Sequence, residues 1–242
     1  MGAFSACTAY SKEEEALKLS VESANATRGK VIGTLLTVAA LLFFWDSGFV
    51  YPLRILVVFF HEMGHALMTV ATGGEVVELG LNHMEGGHTL SMGGNRFLIL
   101  NAGYLGSLLC GVAILRWVRS ERGGERAAVG LGLLLIAVAI GWTRPVTDFG
   151  FVYCILAGAG FIFIGTKIGK GMGLSLVRTV GLFSVMYALV DIKDDVFRAH
   201  SGTMSDAAML SAEFGLPTPV WGLIWLGLGG GLVWKMRGKL IG

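Results

Sequence analysis

Charge is what this sequence has least of. Only 15% of its 242 residues are Asp, Glu, Lys or Arg, where ordinary soluble domains carry roughly 25%. With 54% hydrophobic residues, a mean hydropathy of +0.68 and several long apolar runs, this excludes a soluble globular domain and predicts a polytopic membrane protein. The net charge is only +2, and no basic cluster carries interleaved aromatics, so nucleic acid is not an expected partner. Cysteine is also scarce: Cys7, Cys110 and Cys154 are far apart, and no pair has metal-ligand spacing. They read as small core residues. A secretory signal pattern is missing too, because Glu13-Glu14-Glu15 sits among lysines and no cleavage pattern follows. Residues 1–30 therefore read as a polar tail or short surface helix, and 31–242 as a single transmembrane domain.

Glycine is plentiful, at 37 residues. Small residues let membrane helices approach closely, as in the small-x-x-x-small pairs Ala102/Gly106 and Gly227/Gly231. A span needs about 20 apolar residues. On that measure there are seven candidates: 31–50, 51–71, 97–118, 127–142, 146–165, 174–191 and 220–236. The first has Asp46 near its end, and the fourth is short. The expected fold is an all-α polytopic membrane protein of about six to seven transmembrane helices. Lys18, Arg28 and Lys30 favour a cytoplasmic amino terminus, but seven spans then put Arg116, Arg119, Arg122 and Arg126 on the other side. Charge assigns no topology.

Two connections differ in texture from the spans. Gly73 to Ser91 has β-branched residues and glycine breaks, which predicts a short β-hairpin or re-entrant loop. His83 and His88 lie there and read as loop histidines rather than ligands. The other connection, 192–219, predicts a short helix capped within Thr203-Met204-Ser205-Asp206 and ended by Gly215 and Pro217. On that reading Asp206 is a helix-start carboxylate.

The chemistry centres on His61-Glu62-Met63-Gly64-His65, an H-E-x-x-H pattern in an apolar run whose only charged side chains are Arg54 and Glu62. Residues four apart share a helix face, so His61 and His65 can present two imidazoles to one metal ion. Glu62 is placed to act as general base on a metal-activated water. An ionisable group inside a span is costly and marks function. A catalytic zinc takes three protein ligands and one open position, so a third ligand is needed. Asp191, closing the run Val185 to Val190, is the leading candidate because it lies deepest; Asp194 and Asp195 share its face but reach water. Asp148 is weaker, and Glu213 would complete a His-His-Glu set from a polar loop. Asn101 is an uncharged polar residue inside a span. It reads either as a substrate-binding group for a peptide backbone or carbonyl or, more plainly, as an interhelical hydrogen-bonding residue.

These residues resemble the site-2 protease family of intramembrane zinc metallopeptidases, in its compact branch without a PDZ domain. The resemblance rests on His61 to Ala66 in an apolar helix with Gly73-Gly74 closing it, Asn101 to Ser107, Asp191 after an apolar run, and Ser205-Asp206-Ala207-Ala208. It departs in one place: many members put the third ligand in an Asp-Gly motif, whereas Ile192 follows Asp191 here. The resemblance implies peptide-bond hydrolysis within or near the bilayer, with a membrane-protein substrate and Zn2+ as cofactor. An extended stretch at 75–81 is suited to pair with an unwound substrate by strand addition. Two alternatives remain: a membrane metalloprotease with a glutamate third ligand, which points to Glu213, and a non-catalytic metal-binding scaffold or transporter, which would not need Glu62.

Overall fold

The structure is a computed structural model describing residues 21–22, 24–25, 28–29, 31–168, 171–197 and 205–240. The tail expected over 1–30, with Cys7 and the acidic run, falls almost wholly outside the described residues, as do Thr203 and Met204 and the side chains of Asp194 and Asp195.

The order of elements is α1 (Val31–Phe43), α2 (Tyr51–Ala71), β1 (Glu75–Leu81), β2 (Gly87–Met92), α3 (Arg96–Trp117), α4 (Glu121–Trp142), α5 (Phe149–Lys167), α6 (Met172–Phe197), α7 (Asp206–Phe214) and α8 (Thr218–Leu240). Five of these, α2 to α6, are long and apolar enough to cross a membrane. A sixth span is added if α7 and α8, bent by 118° at the break between them, count as one. This is an all-α polytopic fold and an integral multi-pass membrane protein. The candidate span at 31–50 is not continuous. Helix α1 stops at Phe43, a run of turns follows, and the Asp46 side chain is 97% exposed. The fourth span is longer than its apolar run, because Ser120 caps α4 by accepting from Gly123 N and brings Glu121 to Arg126 into the helix.

Glycines set how closely α2 and α3 cross. A Cβ on Gly64 would collide with the carbonyl of Ala102, and one on Gly106 would lie 2.9 Å from Gly64 Cα. Only backbones without side chains can touch in this way. Beyond Ala71 the chain turns through Gly73, at φ +82°, into the expected hairpin. Strands β1 and β2 pair antiparallel, Glu75 to Met92 through Leu81 to Gly87, with a bulge between Val76 and Glu78. Strand β1 is the buried one, with Leu79 fully buried.

The hairpin folds back along α2. Its tip is fastened to the start of that helix by Tyr51 Oη donating to the His83 carbonyl at 2.9 Å and by Arg54 pairing with Glu85 at 3.0 Å. Strand β1 packs against α2, α4 and α5, whereas β2 leaves much of its length exposed. Behind the motif, Leu100, Tyr104, Ile192, Ala207, Leu210, Trp221 and Trp225 form one core cluster, which draws α7 into the bundle.

Candidate metal centre

Helix α2 offers two faces to its neighbours. His61 and His65, one turn apart, face α3 and α7; Glu62, about 100° round the helix, faces the hairpin. The His61 and His65 Nε2 atoms are 3.0 Å apart, and each lies 3.1 Å from Oδ2 of Asp206. Asp206 is 7% exposed and opens α7, where Ser205 supplies the cap by accepting from Ala208 N. The cap is made by the Ser205 hydroxyl, and Oδ2 of Asp206 is turned to the histidines.

The third group beside the histidines is therefore Asp206, not Asp191 as the depth argument expects. Asp191 is half-buried in α6, within electrostatic reach of His61 but outside the three-residue cluster. On the sequence alone, 192–219 reads as a connection between spans. Instead the apolar face of α7, with Ala207 and Leu210 fully buried, packs into the core and carries Asp206 with it. The signal was available: an acidic residue followed by Ala-Ala-Met-Leu begins a helix with a buried face. The other carboxylates have separate partners. Asp148 caps α5 through Gly150 N at 3.0 Å, and Glu213 pairs with Arg96 Nε at 3.0 Å. His88 faces Glu78 at 3.4 Å on the exposed hairpin, and His83 lies edge-on to Phe149.

The donor atoms fit a metal ion. His65 Nδ1 lies 2.7 Å from the Ile99 carbonyl, which can only accept, so that nitrogen carries the hydrogen. A neutral His65 then turns its Nε2 lone pair toward Asp206 Oδ2, itself an acceptor. Among the described residues that oxygen has no hydrogen-bond partner. With His65 Nε2 and Asp206 Oδ2 both acceptors 3.1 Å apart, a cation between them would satisfy both. Two imidazole nitrogens and one carboxylate oxygen so close together are a donor set able to hold a metal ion. The space is kept by Gly103: a Cβ there would lie 2.5 Å from Nε2 of both histidines.

Glu62 is 5% exposed. The Thr89 hydroxyl lies 2.7 Å from its Oε2 and 3.0 Å from its carbonyl. A Cβ on Gly87 would lie 2.6 Å from its Oε1, so β2 passes over the carboxylate and only glycine fits at that point. Sequence reasoning missed Thr89 and Gly87, because their role depends on the hairpin returning along α2. Asn101 behaves as the plainer account expects. Its Nδ2 donates to the Phe97 carbonyl, and its Oδ1 accepts from Trp225 Nε1, both at 2.8 Å.

A His-His-Asp cluster among membrane-length helices, with His61 half-buried, His65 and Asp206 buried and a buried glutamate beside the first histidine, is the arrangement expected of a membrane metallopeptidase. The chain belongs to the Peptidase M50B-like family, whose model matches residues 34–236. No curated protein and no solved structure matches it.

Proposed function

We propose that this chain is an intramembrane zinc metalloprotease that hydrolyses peptide bonds of membrane-associated protein substrates within or near the bilayer. The observation that carries this reading is the convergence of His61 Nε2, His65 Nε2 and Asp206 Oδ2 at 3.0 to 3.1 Å, next to a buried glutamate. Those three atoms would hold the ion. When bound, zinc would lower the pKa of a coordinated water to about 7 and polarise the scissile carbonyl. Glu62 serves as general base, taking a proton from the attacking water and later delivering it to the leaving amide nitrogen. The Thr89 hydroxyl fixes Oε2 of that carboxylate, and glycine at 87 puts no side chain against Oε1. Strand β1 is covered by α4 and α5, so an extended substrate segment would add to β2 rather than to 75–81.

The alternative with a glutamate ligand is disfavoured by the Arg96 partner of Glu213. The non-catalytic reading leaves the contacts of Thr89 and Gly87 with Glu62 without a purpose. The deciding test is Glu62→Gln in detergent-purified protein given a membrane-embedded test substrate. Zinc content should be retained and cleavage lost. Cleavage at the parent rate would remove the enzyme reading.

A further inference from the structure

His61 and His65 are held in different ways. His65 is oriented by the hydrogen bond from Nδ1 to the Ile99 carbonyl. His61 Nδ1 is buried and, among the described residues, has no hydrogen-bond partner. Its imidazole instead meets the Tyr104 ring, with centroids 4.6 Å apart and planes at 81°. Tyr104 is 1% exposed and packs in turn on Trp225, centroids 4.7 Å apart at 41°. Trp225 is fully buried, and its Nε1 donates to Asn101 Oδ1; Asn101 is pinned one turn back by its bond to the Phe97 carbonyl. A continuous file of buried groups thus runs from α8 through α3 to the first histidine of the motif.

We propose that Tyr104 is the positioning residue for His61, with Trp225 and Asn101 as the brace behind it. A metal-ligating histidine ordinarily has its second nitrogen tied to a carboxylate, carbonyl or water, which fixes ring orientation. For His61, perpendicular ring packing does this work: aromatic pairs prefer such arrangements at centroid distances of about 4.5–7 Å. Rotation of the imidazole about its own bond would drive it into Tyr104, which cannot yield because Trp225 fills the space behind. Helix α8 contributes none of the three clustered groups, yet through this file it bears on the metal centre. The inference rests on the metal-centre reading above.

The test uses the full chain in detergent, with zinc affinity from chelator competition and the visible spectrum of the cobalt-loaded protein. Tyr104→Leu is expected to weaken zinc binding by roughly 10- to 100-fold, the usual effect of losing an outer-shell orienting group, and to alter the cobalt spectrum. Tyr104→Phe keeps the ring and is expected to retain wild-type values of both. If Tyr104→Leu does not accumulate, Asn101→Ala leaves both rings present but frees Trp225. It is then expected to give the same spectral change with a loss of roughly 10-fold. Wild-type affinity and spectrum in Tyr104→Leu, or in Asn101→Ala where that variant stands in for it, overturn the proposal alone. Loss of affinity in Tyr104→Phe also overturns it, by assigning the effect to the hydroxyl. Wild-type protein that binds neither ion overturns the metal-centre reading and this proposal with it.

Discussion

Gly103→Ala adds one methyl group at the point where the two imidazoles and α3 meet. An ideal Cβ at this position would lie 2.5 Å from Nε2 of both His61 and His65, and 2.6 Å from His61 Cε1. Ordinary van der Waals contact begins near 3.4 Å, so close to 0.9 Å of separation must be found. Neither ring gives way easily. His65 is tied to the Ile99 carbonyl, and His61 is backed by Tyr104. Helix α3 cannot retreat without opening its crossing with α2, where Gly64 already touches the Ala102 carbonyl. The shift therefore falls on the nitrogens that would hold the metal, and misplacement by about 1 Å can cost on the order of 100-fold in rate. Zinc affinity, measured by chelator competition, should fall by roughly 10- to 100-fold, and cleavage with it. The control is Gly160→Ala in α5, where an added Cβ meets nothing within 4 Å; it should leave both unchanged. If Gly103→Ala binds zinc and cleaves substrate as the parent does, the ion does not sit between these imidazoles.

Asp206→Ala should lose zinc and activity together, whereas Asp191→Ala should keep its zinc; the reverse pattern by metal analysis would restore Asp191 as the ligand. Thr89→Val removes the hydroxyl 2.7 Å from Glu62 Oε2. It should retain zinc but lose part of the roughly 10²- to 10⁴-fold that general acid–base catalysis supplies, seen in kcat more than in KM. Unchanged kcat would mean that the hairpin does not hold the base. Gly87→Ala should behave in the same way, because its added Cβ would press on Oε1 from 2.6 Å.

Much of this protein is decided by local sequence. Low charge and long apolar runs require a membrane, and hydropathy marks α2 to α6 because each span must be apolar along its own length. H-E-x-x-H sets two imidazoles on one face through helical periodicity alone. The β-branched, glycine-broken stretch after Gly73 yields a hairpin because pairing of neighbouring strands is a short-range event. Ser205 and Gly215 likewise mark the ends of α7 through cap chemistry.

The group that joins the two histidines is not local. Asp191 and Asp206 are both acidic residues beside apolar sequence. What separates them is where the fold puts them: α7, bent 118° from α8, packs Ala207 and Leu210 in one cluster with Leu100 and Tyr104 of α3 and sets Asp206 against the two histidines. The same holds for Thr89 and Gly87, which reach Glu62 because the hairpin lies back along α2, its tip fastened to the far end by Tyr51 and Arg54. It holds for Gly103, one glycine among 37, whose missing Cβ matters only where α3 crosses the two histidines. Periodicity and composition act along one segment. Which segments meet depends on burying several apolar faces together, and that balance is struck only in the folded chain.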